Sequence, residues 1–223
     1  TTRAPVSQQG GVCTLPDLEA PKVTVNIDGI DVEVVSGTTI LEAANQIGVK
    51  IPTLCQHPDL AIAGVCRMCV VEVEGMRTLQ ASCAYPITGP MTIKTQSRRV
   101  RQARRHILDL LLRKHYGECY ACVRNGVCEL QSLAEEYGVD FFRFGHPTEP
   151  LYEVDTSSYS VHRDMNKCVL CRRCVRTCVD LQEVGVYEAV GRSNQTRIET
   201  FLEKPLADVV CINCGQCINR CPT

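Results

Sequence analysis

The stretch Cys168-Val-Leu-Cys171-Arg-Arg-Cys174-Val-Arg-Thr-Cys178 returns as Cys211-Ile-Asn-Cys214-Gly-Gln-Cys217-Ile-Asn-Arg-Cys221-Pro222, and this internal repeat decides the fold of the last third of the chain. Each run has the spacing C-x2-C-x2-C-x3-C. Three closely spaced thiolates can wrap three corners of an iron-sulfur cubane, while the fourth, carried off by the chain, reaches the neighbouring cluster. Two 4Fe-4S ligand sets are therefore expected: Cys168, Cys171 and Cys174 with Cys221, and Cys211, Cys214 and Cys217 with Cys178. Pro222 follows the second run as the pattern requires, but Val179 follows the first, a departure confined to the turn around Cys178. The bland alternative is a zinc-stapled scaffold without redox activity. Zinc sites arrange their ligands as separated C-x2-C halves and have no use for a third cysteine two residues on.

Outward from the repeat, the bulk composition limits what else the chain can be. Sixteen cysteines stand among 223 residues, with no Trp and 5% aromatics, so bulky side chains for deep cores are scarce. The length favours two or three small domains, and it is too great for a disulfide-dense secreted scaffold. No apolar run reaches the roughly 18–20 residues of a membrane span, and residues 1–21 hold no signal-peptide core. A reducing, cytoplasmic setting is expected, where cysteines persist as metal ligands. A net charge of −1 gives no general attraction to nucleic acid or membrane.

The chain opens with an arm, residues 1–21, rich in Pro, Gln and Gly and without periodicity. Val23, Val25 and Ile27 then alternate with polar residues, Asp28-Gly29 supplies a turn, and Val32 and Val34 continue on a second strand. Thr39 and Glu42 form a capping-box pattern, Ile40, Leu41, Ala44 and Ile47 trace a helical stripe, and Gly48 stands at the C-cap. Short strands at Val70 to Val73 and Met91 to Ile93 complete a small sheet over residues 22–96. Between them lies Cys55-x10-Cys66-x2-Cys69-x13-Cys83, a candidate 2Fe-2S ligand set with Gly64 in its loop. Its first gap is longer than in the plant-type spacing. His57 could substitute as a ligand, but with four cysteines in place it reads as a surface or supporting residue.

Ser97 opens a long helix in which Val100, Ala103, Ile107, Leu110 and Leu111 trace the apolar side and Arg98, Arg99, Arg101, Arg104 and Arg105 form a basic, solvated face. Gly117 offers its stop, and a second helix runs from near Cys128 to Gly138. Residues 97–138 hold a third metal set, His115-x3-Cys119-x2-Cys122-x5-Cys128. A lone histidine near a helix end is ordinarily a capping or surface residue. Here the cysteine count favours it as the fourth ligand of a 4Fe-4S cluster, because the remaining cysteine, Cys13, lies far off in the arm. Residues 139–160 read as a linker, and 161–223 carry the repeat.

The stretch Cys66-Arg67-Met68-Cys69-Val70 and the order of elements around it resemble the 2Fe-2S domain that opens the large iron-sulfur subunit of respiratory complex I and many iron-only (FeFe) hydrogenases. Gly126, Cys128, Glu129, Leu130 and Gln131 are similar to the Gly-x-Cys-Glu-Leu-Gln stretch of the His-ligated 4Fe-4S site in the same families, and Leu206 to Cys217 looks most like hydrogenases of NAD(P)-linked, electron-bifurcating complexes. The resemblance implies an α+β chain: a β-grasp 2Fe-2S ferredoxin domain, a small helical His/Cys cluster domain and a bacterial-type two 4Fe-4S ferredoxin domain. It further implies an oxidoreductase in which this region relays electrons. FMN and NAD(P) would sit on partner iron-sulfur subunits, ferredoxin would be a further partner, and the H-cluster would occupy a C-terminal domain. The absence of an initiating Met and the stop two residues after Cys221 fit a piece of a longer protein. A diaphorase-side subunit of a nickel-iron hydrogenase, a formate dehydrogenase subunit or a complex I relative is the alternative. No nucleophile-base pair or glycine-rich dinucleotide loop can be named within these residues, so no catalytic residue is expected among them.

Overall fold

The computed structural model describes residues 21–140, 147 and 149–223; the expected arm, with Cys13, lies outside them apart from Pro21. Strands β1 (Lys22–Ile27) and β2 (Ile30–Val35) pair antiparallel from Lys22 opposite Val35 to Ile27 opposite Ile30. Asp28 and Gly29 both take positive φ, 50° and 89°. That is the turn whose twist matches the flanking strands of a two-residue hairpin. Helix α1 (Ile40–Gln46) starts with the expected capping box: Glu42 N–H donates to Thr39 Oγ1 at 3.3 Å and Thr39 N–H to Glu42 Oε2 at 2.9 Å.

Strands β3 (Val70–Val73), β4 (Gln80–Ala81) and β5 (Thr92–Lys94) complete a five-stranded sheet of order β2-β1-β5-β3-β4. β1 and β5 run parallel, a pairing that needs a long crossover. The segment between them contains β2, α1, the cysteine loop, β3 and β4. Val25, Ile27 and Val34 pack with Ile40, Leu41 and Ala44 of α1 and with Val71, Val73 and Ile93. β4 was not foreseen, because two residues are too few to show an alternation.

Helix α2 (Arg98–Leu112) is capped by Ser97, whose Oγ accepts from Val100 N–H. Its buried side is Val100, Arg104, Leu108, Asp109 and Leu112, with Ile107 and Leu111 packed at the edge of the core, so the expected stripe holds in part and is shifted. Leu110 is 67% exposed, and Arg104, counted on the solvated face, has no exposed surface. The stripe has the i, i+4, i+8, i+12 spacing of a helix face, but an arginine in its second position hid it. Helix α3 (Glu129–Glu136) has Cys128 at its N-cap and Tyr137 at its C-cap, and Gly138 just beyond, with φ of 59°, supplies the left-handed stop. Leu108, Leu112, Leu130 and Leu133 of the two helices share a core with Leu54, Cys55 and Met68 from the cysteine loop and with Val169 and Cys171 from the repeat.

In the repeat, α4 (Arg173–Arg176) and α5 (Gln216–Asn219) occupy equivalent places. The backbone preserves the repeat residue by residue: Leu170 and Asn213 have φ of 55° and 54°, Arg172 and Gly215 of 59° and 69°. The copies diverge at Cys178. Val179 keeps an N–H where a proline would break the chain, and the helix runs on as a π-helical turn, Thr177–Leu181. An unforeseen hairpin, β6 (Tyr187–Val190) with β7 (Arg197–Thr200), joins the two halves. Gly191 is required in its loop, since a Cβ there would stand 2.5 Å from the Gln195 carbonyl oxygen. Val161, Met165, Val186, Tyr187, Ile198 and Leu206 form the core beneath it.

Of the expected linker, 139–160, residues 141–146 and 148 lie outside the described part. Leu151 and Tyr152 are held by Asn166 Oδ1, which accepts from both backbone N–H groups, and Asp155 bridges to Arg163. Among the described residues no helix is long and apolar enough to cross a membrane.

Candidate metal centres

The cysteine loop between α1 and β3 turns at Gly64 and Arg67, with φ of 61° and 60°, and delivers Cys55, Cys66 and Cys69 toward Cys83 behind β4. Cys69 and Cys83 sulfurs lie 3.4 Å apart. Cys55, Cys69 and Cys83 are almost fully buried. Cys55 is pulled to ionise by hydrogen bonds from Cys66 first and Cys83 next, and Cys69 by one from Cys83. Cys66 is pushed the other way by its bond to Cys55 and by burial, and Cys83 by its bonds to Cys55 and Cys69. Three buried thiols and the half-buried Cys66, sharing protons in this way, form a soft donor set of the kind that 2Fe-2S iron requires. His57 stands apart from it: its Nδ1 accepts from Asp59 N–H at 3.3 Å in a local turn.

His115, Cys119, Cys122 and Cys128 line one cavity together with Gly117, Asn125, Gln131 and Lys167. The α2 C-terminus supplies His115, a short turn supplies Cys119 and Cys122, and the α3 N-cap supplies Cys128. Gln131 holds the loop between them, accepting from Gly126 N–H and donating to Asn125 Oδ1, both at 3.0 Å. Burial, then Cys128 and Cys122, push the Cys119 thiol up.

Within the repeat, Cys168, Cys171, Cys174 and Cys221 line a second cavity, which Cys217 also borders, and Cys178, Cys211, Cys214 and Cys217 line a third. The fourth cysteine of each run thus joins the first three of the other. Burial raises Cys168 to about 11 and Cys171 to about 12, and drives Cys174 well above the ordinary thiol value. Such thiols ionise only if a cation replaces the lost water. Backbone N–H groups are aimed at sulfur: Leu170 at Cys168, 3.4 Å, and Val186 at Cys178, 3.2 Å. Tyr187 Oη stands 4.0 Å from Cys217. Among the described residues no three His, Cys, Asp or Glu side chains close on a single ion; the three later quartets surround cavities. The donors fit multi-atom iron-sulfur groups in all four places.

Arg173 ties the regions together. Its buried guanidinium donates to both Glu129 carboxylate oxygens at 2.6 and 2.9 Å and to Gln56 O at 2.9 Å. Arg176 donates to the carbonyls of Cys55 and Ala61. Neither arginine was singled out from sequence; lying between or beside cysteines, they carry no periodic signal.

Residues 20–98 match a 2Fe-2S iron-sulfur cluster binding domain, 104–143 an NADH-ubiquinone oxidoreductase-G iron-sulfur binding region, and 158–223 the ferredoxin-like domain of NADH-quinone oxidoreductase subunit 3. In the crystal structure of an NAD+-reducing NiFe-hydrogenase in the H2-reduced state, one chain superposes with a TM-score of 0.78 at 33% identity, over 85% of this chain and 80% of that one. The chain belongs to the family that unites the large iron-sulfur subunits of NADH-quinone oxidoreductase with the NAD-reducing hydrogenase subunits. It corresponds to the N-terminal iron-sulfur region of that family, a mixed α/β structure with a 2Fe-2S domain and ferredoxin-like 4Fe-4S binding. Over 90% of its length it is similar to the HndD subunit of the NADP-reducing hydrogenase of Solidesulfovibrio fructosivorans, at 45% identity. It is 40% identical, over the same share, to the NADH-ubiquinone oxidoreductase 75 kDa subunit of Reclinomonas americana. The chain spans 35% and 28% of the lengths of these two relatives. Both relatives are oxidoreductase subunits.

Proposed function

We propose that the chain is an electron relay through one 2Fe-2S and three 4Fe-4S clusters. The ligands are Cys55, Cys66, Cys69 and Cys83 for the first; His115, Cys119, Cys122 and Cys128 for the second; Cys168, Cys171, Cys174 and Cys221 for the third; and Cys178, Cys211, Cys214 and Cys217 for the fourth. The carrying observation is that each of three cavities has a complete set of four among its lining residues, with Cys217 shared between the two cavities of the repeat. Bound clusters supply reversible one-electron acceptance. The protein's own part is to desolvate the sulfurs, to aim N–H donors at them, and to hold the four sites in one packed body. We divide the chain accordingly into a β-grasp 2Fe-2S part, 22–96, a helical His/Cys part, 97–138, a linker, 139–160, and a two-cluster ferredoxin part, 161–223.

The setting we infer is an NAD(P)-linked hydrogenase of the iron-only type, with FMN and NAD(P) on partner subunits, an H-cluster beyond these residues and ferredoxin as a further partner in electron bifurcation. The 45% identity to an NADP-reducing hydrogenase subunit, above the 40% to a complex I subunit, supports it. A subunit of an NAD-linked nickel-iron hydrogenase is the second reading, favoured by the likeness to that crystal structure. Anaerobic iron and sulfide analysis tests the relay: roughly fourteen iron atoms per chain are expected from these cluster types, with EPR signals on reduction, whereas zinc or a far lower iron content overturns it. H-cluster cysteine motifs in the reading frame past Thr223 decide between the two hydrogenase settings.

A further inference from the structure

Between the His115 cavity and the Cys168 cavity lies Lys167, which lines both, as Arg124 does. The two cations are spent differently. The Arg124 guanidinium turns back to Val127 O at 3.4 Å, whereas Lys167 Nζ reaches the Cys122 sulfur at 3.7 Å. The lysine stem passes beside Gly117, where a Cβ would stand 3.9 Å from Lys167 Cε. The backbone fixes this placement on both sides: Tyr116 N–H donates to Asn166 O at 3.0 Å, and Thr223 Oγ1 to Lys167 O at 2.9 Å. Asp164 Oδ2, 3.8 Å from Nζ, shares the ammonium with the sulfur.

We propose that Lys167 sets the potential of the centre held by His115, Cys119, Cys122 and Cys128, by donating from its ammonium to the Cys122 sulfur. The inference rests on the ligand reading given under the proposed function. A charged donor on a ligand sulfur favours the more negative, reduced state of the centre, because the bond strengthens as charge accumulates on the sulfur. Together with the neutral imidazole of His115, it makes this centre a better electron acceptor than a four-thiolate site without such a donor. Lys167 acts through Cys122 and is a positioning and tuning residue.

The test is an EPR-monitored redox titration of the full chain, anaerobically loaded and checked for iron. In Lys167→Met the reduced-to-oxidised ratio of the His115 centre at fixed potential is expected to fall about tenfold, which is about 59 mV for a one-electron couple. Lys167→Arg should recover most of that fall, and the Cys55 centre, remote from Lys167, should not move. An unchanged His115 midpoint in an iron-replete Lys167→Met sample overturns the proposal. Should that variant not load, wild-type protein labelled with 15N at lysine Nζ decides: a nitrogen coupling in the pulsed EPR of the His115 centre, lost in Lys167→Arg, supports the contact, and no coupling overturns it. A wild-type chain lacking this centre's signal at full iron content counts instead against the ligand reading.

Discussion

At the scale of single residues, two buried arginines, Arg104 and Arg173, tie together elements of an otherwise mainly apolar interior. Arg104 is wholly buried, donating to Tyr137 Oη and to Val70 O at 2.8 Å each, with its guanidinium carbon 6.0 Å from the Tyr137 ring centre. It pins α2 to the strand that follows Cys69. Arg104→Met keeps the packing volume but strands two buried polar groups, and is expected to destabilise the loaded protein by about 2–3 kcal/mol. Arg104→Lys should recover little, because a single ammonium lacks the planar fork that spans both acceptors. Thermal unfolding under anaerobic conditions measures this, and equal midpoints for Arg104→Met and the wild type would remove the assigned role. His115 offers a test of a different kind. Replacing imidazole by thiolate adds a negative charge at the centre, so His115→Cys should lower its midpoint, and a potentiometric titration that finds no change refutes His115 as a ligand.

At the scale of elements, sequence legibility followed the strength of local chemistry. The α1 capping box could be read from Thr39 and Glu42, and it forms as read, with the Thr39 hydroxyl and the Glu42 carboxylate each holding the other's backbone N–H. Thr39→Ala should cost about 1 kcal/mol of stability, and Thr39→Ser much less; a denaturation midpoint unchanged in Thr39→Ala would show the cap to be redundant. The Asp28-Gly29 hairpin was legible for the same reason, since its turn needs two positive φ angles. The cysteine repeat was legible at the level of the backbone, where left-handed residues recur in register. What escaped was whatever depended on distant partners. The true face of α2 was masked because Arg104 is buried only through Tyr137 and Val70, 33 and 34 residues away. The β6–β7 hairpin was missed because its strands, Tyr-Glu-Ala-Val and Arg-Ile-Glu-Thr, mix charged and apolar residues, whereas the equally short β3 announces itself with three valines. Lys167 and Arg173 were overlooked because a cation beside a cysteine has no spacing rule to announce it.

At the scale of the whole molecule, the regions differ in how much of their cohesion is protein. Among the described residues, the sheet and α1 share a core of fifteen buried residues, of which only Cys69 and Cys83 are thiols. Among the described residues, the core beneath the repeat has six buried residues, and about half of the partly buried residues packed around it are cysteines, Cys168, Cys174, Cys178, Cys211 and Cys217. Apolar burial supplies the main favourable term in folding, so the first core can persist without metal while the second depends on the free energy of binding. Arg173 bonds the repeat to Gln56 in the cysteine loop and to Glu129 in α3, so loss of order in the repeat is expected to reach the cysteine loop and to stop short of the strands. Chelation of iron under reducing conditions should therefore abolish amide protection across residues 168–185 and 211–221, weaken it around 54–69, and leave β1, β2, β3 and β5 protected. Hydrogen exchange read by mass spectrometry resolves these segments. Uniform loss across the chain would mean that the sheet, too, is held by its cluster, and uniform retention would mean that the repeat has a core sufficient without one; either result removes the division of labour between hydrocarbon and iron.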